Sequence, residues 1–229
     1  MGLRARGIAD GVDGWPLGDR GDVLANRCLL DLLAQDHPAD AVLSEESVDS
    51  RARLRADRVW IVDPLDGTRE FSEPGRTDWA VHVALWRRDV GVRVGAVALP
   101  SRGQLLSTAS PPAVPARRGR PLRVVVSRSR PPAVGRQVAA RLDAELVTLG
   151  SAGAKAMAVV LGDVDVYLHA GGQHEWDSAA PTAVAQAAGL HASRLDGAPL
   201  EYNRRDSWLP DLLVCRPELT ESVLAVTAG

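Results

Sequence analysis

Cysteine is nearly missing from these 229 residues: only Cys28 and Cys215 occur. Two isolated cysteines make no disulfide framework, and neither is flanked by the histidine or metal-type spacing of a reactive thiol. Both are expected to be buried filler, and nothing in their usage argues against a reducing compartment. No apolar run approaches the roughly 20 residues of a membrane span. The opening stretch MGLRARGIADG has two arginines but no apolar segment behind them, so it does not read as a secretory signal. Arg6 stands where N-myristoylation wants Ser or Thr. An excess of positive charge is missing too: Lys plus Arg is 27 and Asp plus Glu is 29, a net charge of −2. That balance offers no overall basic field for nucleic acid. The chain is therefore expected to be soluble and cytoplasmic, with neither nucleic acid nor membrane as a partner. Internal repeats and long low-complexity segments are absent as well.

What is present is an ordinary globular balance, 45% apolar and 24% charged, at a length that suits one large domain or two lobes. Residues 1–21, rich in Gly and Asp, read as a helix tail and turns. A helical pattern then runs from Asp22, placed as its N-cap, to His37, where Pro38 stops it. Short apolar strands are expected at 41–43 and 59–62, further strands at 79–85, 90–99 and 104–108, and a Pro/Arg/Gly-rich linker at 111–120. Beyond it, strands at 122–126, 145–149 and 165–169 alternate with helices at 132–142, 152–161 and 177–188, the pattern of an α/β layer. The division expected is an N-terminal lobe over 1–110 and a C-terminal lobe over 121–229.

Two strands end in acid. Ala41-Val42-Leu43 runs into Ser44-Glu45-Glu46, and Val59-Trp60-Ile61-Val62 runs into Asp63-Pro64-Leu65-Asp66-Gly67-Thr68. Strand ends are where open α/β layers place ligands. Pro64 biases Asp63 toward an extended backbone and Gly67 permits a tight turn, so Asp63 and Asp66 converge on one stiff segment. Two close carboxylates repel unless a cation lies between them, and Mg²⁺ takes carboxylate, phosphate and water oxygens. The N–H groups of Gly67 and Thr68, at a helix start, suit a phosphate oxygen. Asp177, in HEWDSAAP, opens an Ala-rich helix and would serve equally as a plain N-cap. His82, His169 and His174 show no metal spacing and read as structural or rim residues; Trp60, Trp79, Trp86 and Trp176 read as packing residues.

The motifs LSEE, VDPLDGT and WDSAA followed by AGL, in this order and spacing, resemble the inositol monophosphatase superfamily of lithium-sensitive Mg²⁺ phosphatases, from about Leu17 to the C-terminus. The resemblance implies an αβαβα layered sandwich of two lobes with the active site between them. It implies two or three Mg²⁺ ions: one held by Glu45, Asp63 and the carbonyl of Leu65, another by Asp63, Asp66 and Asp177. It implies that Asp22 and Thr68 position the attacking water, that Glu45 reaches that water or a third ion, and that Gly67 and Thr68 offer N–H groups to the phosphate. A family helix precedes the first active-site strand, and residues 2–6 resemble only its tail, so the natural start is expected upstream.

Within the superfamily, Arg69-Glu70-Phe71 resembles the nucleotidase branch that hydrolyses 3′-phosphoadenosine 5′-phosphate to AMP in sulfate assimilation and nucleotide salvage. Ser127-Arg128-Ser129-Arg130 resembles its Ser-Arg-Ser-His element with Arg130 in place of the His. Gly150-Ser151-Ala152-Gly153-Ala154-Lys155 resembles the loop that lines its substrate pocket. Ser127, Arg128, Arg130 and Lys155 are thus expected at the substrate, where a guanidinium can fork onto a second phosphate. The alternatives are the same site acting on inositol phosphate or fructose 1,6-bisphosphate, and a catalytically inactive nucleotide-binding protein. A small phosphorylated metabolite is the expected partner, with a homodimer left open.

Overall fold

The computed structural model describes residues 2–11, 14–117 and 119–228. Val12 and Asp13 of the expected turns, and Arg118 of the expected linker, lie outside the described residues, as do the two terminal ones.

Helices α1 (Gly2–Ala9) and α2 (Trp15–Asp36) come first. Two parallel strands follow, β1 (Ala41–Ser44) and β2 (Arg58–Asp66), then the short helix α3 (Thr68–Ser72). Antiparallel strands β3 (Ala80–Arg87), β4 (Gly91–Leu99) and β5 (Gln104–Ser107) complete a sheet ordered β1-β2-β3-β4-β5. The later half supplies β6 (Arg123–Ser127), α4 (Ala133–Arg141), β7 (Glu145–Leu149), α5 (Ala152–Val160), β8 (Val166–His174) and α6 (Glu175–Ala187). It ends with β9 (His191–Ser193), β10 (Trp208–Cys215) and α7 (Thr220–Thr227). The second sheet is ordered β7-β6-β8-β10-β9.

The apolar clusters show the layering. The largest takes Ile61, Ala84 and Val97 from the first sheet, Val125, Tyr167 and Leu212 from the second, and Met157 and Val184 from α5 and α6 between them. Val138 of α4 and Val223 of α7 close the outer face of the second sheet with Val124, Val166 and Leu213. On the outer side of the first sheet, Leu17 of α2 meets Leu65, Phe71 and Trp79, with Leu3 and Ile8 of α1 against them. Helix, sheet, helix, sheet, helix is the expected five-layer sandwich.

Two expectations near the N-terminus fail for one reason. The helix begins at Trp15, with Pro16 in its first turn, so Asp22 is an interior residue and not an N-cap. Glycine inside a helix costs about 1 kcal/mol against alanine, which is why Gly18 and Gly21 read as breakers. Here they allow contact: a Cβ on Gly18 would stand 2.5 Å from Thr68 Cγ2, and one on Gly21 2.8 Å from Phe71 Cε1. The close approach sets Asp22 beside Thr68. Cys28 is exposed on the same helix, contrary to the expectation for it, whereas Cys215 is buried. Strand β10 escapes the sequence pattern because Pro210 sits inside it; the ladder accommodates it with a register shift between Leu209 and Asp211. Among the described residues, no helix is long and apolar enough to cross a membrane.

Candidate active site

The turn that starts at Asp63 carries two buried carboxylates. Asp63 is 1% exposed, and its Oδ1 accepts from the Leu65 N–H at 3.1 Å, which curls the chain so that Asp66 follows on the same side. Gly67 has φ +89°, and a Cβ there would be 3.1 Å from Ser151 Cβ and 3.3 Å from the Asp78 carbonyl, so only glycine closes this turn without strain. Thr68 Oγ1 then shares its proton between Asp22 Oδ2 at 2.9 Å and the Leu65 carbonyl at 3.2 Å. The other oxygen of Asp22, Oδ1, is buried without a partner.

Asp66 meets the N-terminus of α5. It accepts from Ser151 Oγ at 2.5 Å, Gly153 N at 2.6 Å and Ala152 N at 3.1 Å. The glycines of the 150–155 segment make this possible: a Cβ on Gly153 would lie 2.0 Å from His82 Nε2, and one on Gly150 2.1 Å from Glu70 Cδ. Lys155, 4% exposed, folds back to donate from Nζ to the carbonyls of Gly150 at 2.8 Å and Ser151 at 2.6 Å. Asp177 is the third residue of α6, not its N-cap, and its Oδ2 accepts from the His174 N–H at 2.6 Å.

His82 was expected as a structural or rim residue without metal spacing, and the structure places it buried beside the carboxylates. In the β2–β3 ladder it stands opposite Asp63, fully buried. Its Nδ1 is 3.1 Å from the Trp176 carbonyl and 3.9 Å from Asp63 Oδ2. Its Nε2 lies 3.2 Å from Asp66 Oδ2, within ion-pair distance though not aligned as a directed hydrogen bond. Asp63, Asp66 and His82 form a tight group of candidate ligands, their donor atoms all within 4.8 Å of one another. No spacing in the sequence marks His82; the only available signal was the antiparallel register that sets it against Asp63.

Burial lowers the His82 pKa, but the Asp66 carboxylate outweighs that and raises it. Burial likewise pushes Asp66 up, and His82, Lys155 and Ser151 together overcome it and hold Asp66 at about 2. The other carboxylates lack such partners. Burial, then Asp66 and Glu45, hold Asp63 well above the usual carboxylate range. Burial followed by Asp66 raises Asp177 to about 6, and burial outweighs the Thr68 hydrogen bond to raise Asp22 to about 7. Glu45 is raised to about 8 by desolvation and by repulsion from Asp177, Asp66 and Asp22; its side chain still meets solvent, so water screens part of that repulsion. Carboxylates packed this way, with a buried orphan oxygen on Asp22, have the hard oxygen donor set and the unmet negative charge that fit Mg²⁺.

Glu45, Asp66 and Asp177 open onto a cavity of about 640 Å³, within the usual size of a small-molecule site. Gly67 and Thr68 are not part of its wall; of the other residues expected at the substrate, Ser127, Arg130 and Lys155 line it. Arg128 does not: its guanidinium is forked onto Glu70 Oε1 at 2.8 Å and onto both oxygens of Glu73 at 2.9 Å. That side chain braces the loop after α3 against the end of β6. The cavity wall also includes Tyr167, Gln173, Trp176 and Trp208, none of them foreseen as substrate-facing. A separate cavity of about 460 Å³, lined in part by Arg76, Leu99 and Val147, holds none of the expected ligands.

Comparison with known proteins agrees with this architecture. The pattern of the inositol monophosphatase family matches residues 19–227. A 3′-phosphoadenosine 5′-phosphate phosphatase of Mycobacterium bovis is 57% identical over 221 residues, covering 93% of this chain and 83% of that protein. The 3′(2′),5′-bisphosphate nucleotidase CysQ of Escherichia coli K12 is 33% identical over 199 residues, covering 82% and 80%. Among solved structures, inositol monophosphatase II of Staphylococcus aureus superposes with a TM-score of 0.79 at 18% identity, covering 97% of this chain and 84% of that one.

Proposed function

The chain belongs to the inositol monophosphatase family, and from that premise we propose that it is a Mg²⁺-dependent phosphomonoesterase converting 3′-phosphoadenosine 5′-phosphate to AMP and phosphate. The observation that carries this reading is the convergence of Glu45, Asp66 and Asp177, from three separate chain segments and with Asp63 buried beside them, on a cavity whose wall includes Ser127, Arg130 and Lys155. Glu45, Asp63, Asp66, Asp177 and the Leu65 carbonyl would hold the Mg²⁺, which when bound supplies a water of lowered pKa and neutralises phosphate charge. Thr68 and Asp22 orient that water. Asp22 Oδ2 accepts from Thr68 Oγ1 at 2.9 Å, and its Oδ1, without another partner, would be the free acceptor for that water. The N–H groups of Gly67 and Thr68, at the start of α3, would be offered to the phosphate. His82 keeps Asp66 ionised and Lys155 stiffens the loop that grips it. Arg130, exposed at the rim, takes the second phosphate as a charge-assisted partner. Lithium is expected to inhibit.

The reading is tested by phosphate release from 3′-phosphoadenosine 5′-phosphate, inositol 1-phosphate and fructose 1,6-bisphosphate, each with and without Mg²⁺. A wide advantage in kcat/KM for the nucleotide, lost on chelation, supports it. An advantage for either base-free ester keeps the metal site and removes the nucleotide. No hydrolysis of any of them leaves a binding protein.

A further inference from the structure

The wall of the cavity built by the end of β8 and the start of β10 carries aromatic surface that phosphate chemistry does not use. Trp208 opens β10 and pairs with His174 across the ladder. Its indole rests on backbone: a Cβ on Gly172 would stand 2.5 Å from Trp208 Nε1 and 3.1 Å from Cε2. Gly171 and Gly172 have φ of +105° and +93°, conformations that side chains rarely adopt. Gly172 thus clears the seat for this indole, and a large part of it stays bare. Trp208 is 46% exposed while lining the cavity, whereas the packed Trp79 is 3% exposed. A large aromatic face left open in a cleft is apolar area waiting to be covered. Beside it, Trp176 stacks on His174 with centroids 4.6 Å apart and planes 13° from parallel, and both line the same cavity. Gln173 is 6% exposed on that wall, and neither polar atom of its carboxamide has a partner. A base-free sugar phosphate has no flat apolar ring to offer such a wall; a nucleotide base does.

We infer that Trp208 is a specificity-determining residue, its open indole face being the platform on which the base of a nucleotide substrate stacks. This rests on the nucleotidase reading and names how that site tells base-bearing from base-free phosphomonoesters. Base–aromatic stacking is worth about 1–3 kcal/mol by alanine substitution, or roughly 5- to 150-fold in affinity.

The experiment measures kcat and KM for 3′-phosphoadenosine 5′-phosphate and inositol 1-phosphate with wild type, Trp208→Ala and Trp208→Phe, and titrates AMP against intrinsic tryptophan fluorescence. Trp208→Ala is expected to lower kcat/KM for the nucleotide about 5- to 150-fold, mainly through KM, and to lower the nucleotide-to-inositol ratio by a similar factor. Trp208→Phe should recover most of that loss while losing much of the AMP-dependent quench. Should Trp208→Ala fail to fold, Trp208→Leu keeps apolar bulk without a ring and serves in its place. An equal loss on both substrates, a loss confined to kcat, or Phe no better than Leu overturns the assignment while nucleotide turnover by the wild type leaves the enzyme reading intact. A wild type that prefers inositol phosphate overturns both.

Discussion

The two walls of the cavity are built on opposite principles. The acidic wall, from the ends of β1 and β2 and the starts of α5 and α6, is largely buried and anchored by hydrogen bonds: Asp66 alone accepts three from the 151–153 segment. The opposite wall, from the end of β6, the end of β8 and the start of β10, keeps Arg130 and Trp208 exposed. Burial makes charge strong and geometry stiff, which suits bond breaking; exposure leaves side chains free to choose a ligand. Substitutions on the first wall should therefore act on turnover and stability, and those on the second on KM.

The largest effect belongs to Asp63. Asp63→Asn should cut kcat by at least about 100-fold, as expected when a group stabilising the transition state is lost, with circular dichroism unchanged. Retained turnover after Asp63→Asn would remove the acidic wall from the chemistry. Gly153→Ala comes next. Its methyl would enter the space of His82 Nε2, and overpacking of this kind costs about 1–3 kcal/mol, so Tm should drop by roughly 2–10 °C. An unchanged melting curve would mean that α5 slides away from β3 without penalty.

The sharpest comparison sets two neighbouring arginines against each other. Arg130→Ala should raise KM for a bisphosphate about tenfold, the size of one lost charge-assisted hydrogen bond, without moving Tm. Arg128→Ala should do the reverse, since it leaves the buried Glu70 unpaired while removing nothing from the cavity. Similar KM changes in the two variants would place both guanidiniums at the substrate.

The smallest effect is a pH slope. Glu45 at about 8, Asp22 at about 7 and Asp177 at about 6 keep protons in the folded protein that the unfolded chain gives up near pH 4. Raised carboxyl pKa values contribute stability below pH 4 that is lost as pH climbs through the folded values. Without Mg²⁺, Tm should thus fall between about pH 4 and 8. Mg²⁺ added at pH 8 should restore it, because the cation replaces the protons. A calorimetric scan with a flat pH dependence would show that the carboxylates are not competing for charge.

Much of the first wall was legible because its causes are local. Pro64 and Gly67 shape the 63–68 turn within six residues, apolar strands deliver Glu45 and Asp63, and alternating elements mark an α/β layer, the αβαβα order being what the family resemblance implies. The parts misread have distant causes. Gly18 and Gly21 look like helix breakers until Thr68 and Phe71 are seen lying on them. Arg128 and Arg130 look interchangeable until Glu70 and Glu73 claim one of them.

Residue order alone settles which carboxylates exist, the stiffness of the turn that carries two of them, and the family that uses such a turn. Packing in three dimensions was needed to set His82 between Asp63 and Asp66, to bring Asp22 to Thr68 from inside a helix, and to leave Trp208 bare over Gly172. Each of these depends on strand register or helix approach between segments far apart in the chain, and no short-range preference encodes such distances.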